Sequence, residues 1–273
     1  MREQMYVPVA IHGAPRSGTT WIGEIINSSP NTIYKFQPLF SYAHKDFLTP
    51  SSTKQDIQEF FDRLAECKDR FTNRTVERSE GKLPTFEKQN ITHIVYKEVR
   101  YHNILSNMMR RSDELKLVAI IRNPMSVINS WFNAGREFRQ DLGWNKLEEW
   151  RYAMKKNMNK PEEYNGYEKW KELANLILQL KQQYPDRIYW MQYSKFLENS
   201  VQETKSLFQF LGLDFTAQTE EFLSESANSH IDDPYSVYRS AQTDDAWKTL
   251  LPTEIVREIE ADIKDTALEI FLD

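Results

Sequence analysis

The chain has 273 residues, and its 35 Lys and Arg against 40 Asp and Glu give a formal net charge of −5. This composition is typical of a soluble globular protein, and the excess of acid argues against a nucleic-acid-binding protein that relies on overall positive charge. The only cysteine, Cys67, excludes an internal disulfide and a cysteine-built zinc site. The 5 histidines lack the HxxxH and HExxH spacings of metal sites, so we expect no bound metal.

The N-terminal segment, MREQMYVPVAIHGAP, has no long apolar core and no cleavage site. No stretch of about 18 apolar residues occurs in the sequence. We therefore expect no signal peptide, no membrane span and a cytoplasmic location.

The hydrophobic pattern predicts strands and helices that alternate along the chain. Short apolar runs rich in β-branched residues predict strands at 6–12, 33–36, 92–96, 116–121 and 187–192. Apolar residues at helical spacing predict helices at 19–28, 53–71, 105–111, from Pro124 onward, 145–157, 162–184, 201–211 and 253–268. Polar composition predicts loops at 72–90 and 226–243.

This alternation predicts an α/β fold, with a parallel sheet flanked by helices on both faces. We find no linker or repeat that divides the chain, so we expect one domain over residues 1–273. Ligands in such sheets bind beyond the carboxyl ends of the strands. The turns after His12, Tyr96, Ile121 and Gln192 are therefore expected to surround one site.

The turn after the first predicted strand has the sequence GAPRSGTT, from Gly13 to Thr20. Two glycines separated by four residues, followed by a helix, form the framework of a loop that binds phosphate through backbone amides. A Walker A loop needs Lys after its second glycine, but Thr19 stands there, so a nucleoside triphosphate is a poor fit. Arg16 is the candidate replacement cation. The loop therefore predicts a site for a small anionic group held without Mg²⁺.

A second anion site is predicted after the strand KLVAII, which runs into Arg122. A guanidinium at a strand end can bind a phosphate bidentately. Ser130 lies about two turns along the next helix and can donate to the same group. Two anion sites at one edge of the sheet suggest a ligand with two separated anionic ends.

These two motifs resemble those of sulfotransferases that use 3′-phosphoadenosine 5′-phosphosulfate (PAPS). PRSGTTW at 15–21 is similar to the 5′-phosphosulfate loop of that family, and RNPMSVINS at 122–130 to its 3′-phosphate motif. YKFQPLF at 34–40 and YKEVRY at 96–101 resemble the branch that acts on carbohydrates. Further similar segments are YSKFL at 193–197, FLGL at 210–213 and WKTLLPTEI at 247–255.

The resemblance implies a P-loop-like fold, PAPS as co-substrate and no required metal. By motif position, the amides of Ser17, Gly18, Thr19 and Thr20, with Trp21 beside them, hold the 5′-phosphate. The other implied cofactor-binding residues are Arg122 and Ser130 at the 3′-phosphate, Tyr193 near the adenine and Arg239 over the phosphates.

Sulfuryl transfer builds negative charge on the bridging oxygen, and fixed cations there lower the barrier. Arg16 and Lys97 are the candidates for this role. The acceptor hydroxyl also needs a base within hydrogen-bond reach. Many carbohydrate sulfotransferases carry Glu where this chain has Gln37, and an amide takes no proton at neutral pH. Glu98 is therefore the first candidate for the base, with His102, His44 and Asp46 as alternatives.

The sequence predicts a hydroxyl-bearing acceptor, a carbohydrate or a related small molecule. The stretches 38–50 and 135–144 offer aromatic and charged side chains for it. Two other functions stay open: a P-loop-type small-molecule kinase, and a non-catalytic protein that binds PAPS or its desulfated product. Thr19 and the missing acidic residue after KLVAII count against the kinase, whereas Gln37 favours the non-catalytic protein.

Overall fold

A computed structural model describes residues 6–228, 237–238 and 243–272. Its sheet contains the strands β1 (Val7–Gly13), β2 (Thr32–Phe36), β3 (His93–Glu98), β4 (Lys116–Ile121) and β5 (Ile188–Gln192). Every neighbouring pair is parallel, in the order β2-β3-β1-β4-β5. The carboxyl ends of all the strands therefore lie at one edge of the sheet.

The helices lie between the strands and after β5. They are α1 (Thr19–Asn27), α2 (Lys54–Glu66), α3 (Thr75–Ser79), α4 (Leu105–Arg111), α5 (Pro124–Phe132), α6 (Lys146–Glu149), α7 (Met154–Asn157), α8 (Tyr167–Gln183), α9 (Tyr193–Glu198), α10 (Ser200–Leu211), α11 (Ala217–Asn228), α12 (Trp247–Leu250) and α13 (Thr253–Ile263).

The sheet separates two hydrophobic cores, because successive strand residues point to opposite faces. Val9 and Ile11 of β1 pack on one face against apolar side chains of α1, α10 and α11. Ala10 packs on the other face, in the core formed with α2, α4, α5, α8 and α13. The predicted α/β fold, with helices on both faces of a parallel sheet, is confirmed.

Local sequence signals position the two helices that begin at the carboxyl edge of the sheet. Gly18 precedes α1 in the left-handed region, with φ of 78°. The chain enters α5 through Asn123, whose side-chain oxygen accepts from the Met125 amide at 2.9 Å, and Pro124 occupies the first turn. The amino-terminal ends of α1 and α5 therefore both lie at the edge where ligands bind in such sheets.

Several predicted boundaries were wrong. The predicted strand 92–96 continues to Glu98, so Lys97 and Glu98 belong to an interior strand. The predicted helix 53–71 ends at Glu66, the helix 253–268 ends at Ile263, and the loop 72–90 contains α3. The segment 145–157 forms two short helices, because Ala153 between them has a φ of 48°. The sequence analysis missed α11, which includes the first residues, 226–228, of the predicted loop 226–243; the loop residues 229–236 and 239–242 lie outside the described residues. Within the described residues, no helix has the length and apolarity needed to cross a membrane.

Candidate active site

A cavity of about 1340 Å³ opens at the carboxyl edge of the sheet. One half, here called the loop end, is lined mainly by the glycine loop and α1 at 15–21, by Arg122 and Ser130, and by residues of α9. The other half, here called the basic end, is lined by residues within 36–40, 70–82, 97–100 and 136–137, and by Lys156. The cavity therefore lies where the parallel sheet predicts a binding site.

The glycine loop depends on close packing that a larger side chain would prevent. A Cβ on Gly13 would lie 2.7 Å from the Ile120 carbonyl oxygen of β4. A Cβ on Gly18 would lie 2.2 Å from Cε2 of Tyr193, and Gly18 also has the positive φ that favours glycine. The two glycines thus let the loop lie against β4 and let the Tyr193 ring rest on its backbone.

The polar groups of the loop fit an anion. The buried Ser17 hydroxyl has no hydrogen-bond partner among the described residues. The first amides of a helix lack partners within it, and the start of α1 presents those of Thr19 and Thr20 at the cavity. The Ser17 amide itself donates to the Ala14 carbonyl at 3.1 Å, so it holds the turn together. A phosphate or sulfate group suits this arrangement through the amides that follow Ser17, whereas Ser17 itself lies behind the cavity lining.

The two anion motifs predicted from the sequence meet in space. Arg16 Nε donates to Ser130 Oγ at 3.2 Å, and Arg122 Nη1 donates to the Arg16 carbonyl. The Arg122 guanidinium also stacks on Tyr193, with its carbon 4.9 Å from the ring centroid. The structure therefore brings Arg16, Arg122, Ser130 and Tyr193 together at the loop end. Trp21 lies beside them and donates through Nε1 to Ser226 Oγ at 3.0 Å.

Arg122 forms an ion pair that the sequence analysis missed. Its Nε donates to Asp244 Oδ2 at 2.8 Å, and its Nη2 donates to the other carboxylate oxygen. Ser126 Oγ donates a hydrogen bond to the Asp244 backbone carbonyl at 2.9 Å. A single Asp in a polar stretch carries no sequence signal for such a contact. Arg239, predicted near the phosphates, lies outside the described residues.

Lys97 and Glu98 point to opposite faces of β3, as neighbours in a strand must. Lys97 is 2% exposed and lines the basic end, and its Nζ lies 4.6 Å from the centroid of the Phe36 ring. Burial lowers the pKa of the Lys97 ammonium. The ammonium of Lys97 is therefore weakly hydrated, and whether it carries a proton depends on the charges near it.

Glu98 lies outside the cavity lining. Its Oε1 accepts from the Leu39 amide at 2.8 Å, whereas Oε2 has no partner among the described residues. Burial raises the pKa of the Glu98 carboxyl. The side chain holds the short turn Pro38–Phe40 beneath the basic end.

The alternative bases also lie outside the cavity lining. His102 is fully buried, with Nδ1 2.8 Å from Nδ1 of His12, and burial holds the pKa of His102 well below its usual range. Burial likewise lowers the pKa of His44. Asp46 accepts from the Tyr101 hydroxyl at 2.7 Å. None of these four base candidates therefore lines the cavity with Arg16 and Lys97, and Glu98, the neighbour of Lys97 in β3, acts on it through its charge.

Glu137, which the sequence analysis did not single out, is a carboxylate that lines the same cavity as Lys97. Glu137 lines the basic end, lies 3.6 Å from the Lys156 ammonium, and exerts a charge effect that raises the pKa of Lys97. The sequence analysis assigned its segment, 135–144, to the acceptor, and this assignment is the sequence signal that points to Glu137. Gln37 also lines this end, and its Oε1 accepts from Arg100 Nη1 at 3.4 Å.

No group of three or more His, Cys, Asp or Glu side chains suited to a metal ion occurs in the part of the chain that the structure describes.

Comparison with known proteins gives the same fold and names a family. A family model described as a sulfotransferase domain matches residues 8–266. The mouse sulfotransferase SULT7A1, solved in complex with PAP, is 12% identical, with a TM-score of 0.56 over 97% of this chain and 88% of that one. The sulfotransferase domain of the Synechococcus PCC 7002 olefin synthase is 15% identical, with a TM-score of 0.52 over 97% of this chain and 98% of that one. The sulfotransferase domain of the curacin biosynthetic pathway is 18% identical, with a TM-score of 0.55 over 96% and 98% of the two chains.

No curated protein sequence matches the chain. At these identities the solved structures establish the P-loop-like fold alone, whereas the family model covers nearly the whole chain. The resemblance read from the two loop motifs is thereby confirmed: the chain belongs to the sulfotransferase family.

Proposed function

We propose that this protein transfers a sulfuryl group from PAPS to a hydroxyl acceptor, a carbohydrate or a related small molecule. The observation that carries the proposal is the contact between the two anion motifs. Arg122 donates to the Arg16 carbonyl and Arg16 donates to Ser130, so cations from two distant segments lie at one end of one cavity.

In this proposal the loop end binds the nucleotide. The amides at the start of α1 hold the 5′-phosphate, and Arg122 and Ser130 hold the 3′-phosphate. Tyr193 supports the adenine, and Trp21 fixes the helix beside it through its bond to Ser226. PAPS supplies the sulfuryl group, and adenosine 3′,5′-bisphosphate is the second product.

The basic end binds the acceptor and removes the proton from its hydroxyl group. Arg16 and Lys97 stabilise the negative charge that grows on the bridging oxygen as the sulfur–oxygen bond to phosphate breaks. Glu137 accepts the acceptor's hydroxyl proton as the new oxygen–sulfur bond forms. Glu98, the first base candidate from the sequence, lies outside the cavity lining, where it positions the Pro38–Phe40 turn.

A thermal-shift panel distinguishes this function from the kinase and the non-catalytic protein. Adenosine 3′,5′-bisphosphate without Mg²⁺ should raise the melting temperature, and ATP with Mg²⁺ should raise it little. Stabilisation by Mg²⁺–ATP alone would favour the kinase. Stabilisation by the bisphosphate, with no sulfuryl transfer to any hydroxyl acceptor from labelled PAPS, would favour the non-catalytic protein.

The base assignment has its own test. Glu137→Gln should lower kcat by about 10²–10⁴ and leave the Kd for the bisphosphate unchanged. Glu148→Gln is the matched control, because Glu148 is exposed and lies outside the cavity lining. Full activity in Glu137→Gln together with a large loss in Glu98→Gln would return the role to Glu98.

A further inference from the structure

The basic end carries an excess of positive charge in a protein whose net charge is −5. Besides Lys97, its lining includes the cationic side chains of Arg70, Arg74, Lys82, Arg100, Arg136 and Lys156. The described carboxylates that line the same half are Glu77, Glu80 and Glu137. With Lys97 this makes seven cations against three carboxylates, so this half is positive and concentrates anions locally against the overall charge of the chain.

Two of these cations are held rigidly over aromatic rings. The Arg100 guanidinium carbon lies 4.1 Å from the centroid of the Phe40 ring, while Arg100 Nε binds Glu163 at 2.9 Å. The Arg74 guanidinium carbon lies 4.4 Å from the centroid of the Phe36 ring. A guanidinium that is fixed in this way loses little side-chain entropy when it binds a carboxylate, sulfate or phosphate group.

The segment that contributes Arg70 and Arg74 is anchored to the sheet. The Phe36 amide of β2 donates to the Thr72 carbonyl at 2.8 Å, and Lys35 Nζ binds both the Cys67 carbonyl and Asn73 Oδ1 at 2.7 Å. These bonds set the segment beside the end of β2. Its cations are therefore placed by the fold around the position of the acceptor.

We infer that the acceptor is itself anionic: a molecule with a ring that packs on Phe36, Phe40 and Phe71, and with a carboxylate, sulfate or phosphate ester near the hydroxyl that is sulfated. This inference rests on the proposed function and names the substrate class of the same site. Arginines bind such groups through charge-assisted, bidentate hydrogen bonds, and the rings bury the apolar face of the acceptor.

The test compares acceptors in matched pairs that differ only in the anionic group. The carboxylate pair is p-nitrophenyl β-glucuronide and p-nitrophenyl β-glucoside, and the ester pair is N-acetylglucosamine 6-sulfate and N-acetylglucosamine. With labelled PAPS, the anionic member of at least one pair should have a kcat/KM about tenfold or more above its neutral partner. The pair with the larger ratio identifies which anionic group the site prefers. Raising NaCl from about 0.05 M to about 0.5 M should reduce that ratio.

A double variant, Arg70→Gln with Arg136→Gln, should lower the anionic-to-neutral ratio by about tenfold. Arg257→Gln is the control, because Arg257 is exposed on α13 and lies outside the cavity lining, and it should leave the ratio unchanged. Equal or better use of the neutral members, or an unchanged ratio in the double variant, would overturn the inference.

Binding provides a second readout if neither pair is turned over. With the bisphosphate present at saturation, the anionic members should raise the melting temperature and the neutral members should not. No stabilisation by any anionic member would overturn the inference. If the bisphosphate itself fails to stabilise the protein, the proposed function fails first, so the two failures are distinguishable.

Discussion

Gly18→Ala tests the contact between the glycine loop and the predicted adenine site. An alanine there would keep a φ of +78°, which costs about 1–2 kcal/mol for a residue with a Cβ. Its Cβ would also lie 2.2 Å from Cε2 of Tyr193, whereas ordinary contact begins at 3.4 Å. The ring must therefore retreat by the difference, 1.2 Å, and overpacking of this kind costs about 1–3 kcal/mol more.

Gly212→Ala is the matched control for this substitution. Gly212 has a φ of +79°, and nothing lies within 4 Å of the position that its Cβ would take. The control therefore has the backbone cost without the clash. In urea unfolding, Gly18→Ala should lose about 1–3 kcal/mol more than Gly212→Ala.

Ligand binding separates the site from general stability. Because Tyr193 stacks on Arg122 at 4.9 Å, displacing the ring disturbs both the adenine contact and the 3′-phosphate ligand. Isothermal titration should show the Kd for the bisphosphate rising by about tenfold or more in Gly18→Ala, and staying at the wild-type value in Gly212→Ala. A wild-type Kd in Gly18→Ala would refute the assignment of Tyr193 to the nucleotide site.

Three further predictions follow from charged and titratable groups. Burial lowers the pKa of Lys97, so the ammonium loses its charge, and kcat should fall, at a pH well below the pKa of an ordinary lysine. Lys97→Met should lower kcat by about 10²–10³ and should lack this fall in the pH–rate profile. Asp244→Asn should lower the Kd for the bisphosphate, because Arg122 then no longer pairs with a carboxylate; a higher Kd in titration would contradict this. Burial lowers the pKa of His12 to about 3 and that of His102 well below 6.5, so below pH 6.5 the unfolded state binds more protons than the folded state. The free energy of unfolding should therefore fall on acidification by about 1.4 kcal/mol per pH unit for each histidine. Urea unfolding at several pH values should show a weaker pH dependence of that free energy in His102→Asn, and an unchanged pH dependence would contradict the prediction.

The architecture could be predicted from the sequence because the signals for strands, helices and turns are local. Apolar β-branched runs identify the strands, and the glycine pattern between Gly13 and Gly18 identifies the turn after β1. Once the strands are parallel, their carboxyl ends must share an edge, so the proximity of Arg16 and Arg122 could be predicted without coordinates.

The acceptor end could not be predicted to the same depth. Ending the third strand at residue 96 hid the alternation that sends Lys97 and Glu98 to opposite faces of β3. Arg122 and Asp244, which form an ion pair, lie far apart in sequence. The same holds for Lys97 and Glu137, whose charge acts on Lys97. Such contacts depend on tertiary packing, for which a single sequence holds no local pattern.

The central claim is that Arg122 holds a 3′-phosphate at the loop end. Isothermal titration of adenosine 3′,5′-bisphosphate and of adenosine 5′-monophosphate, into wild type and Arg122→Gln, tests it most directly. The 3′-phosphate should improve the wild-type Kd by about tenfold or more, and this advantage should disappear in Arg122→Gln. Equal Kd values for the two nucleotides in wild type, or an advantage that survives in the variant, would contradict the account.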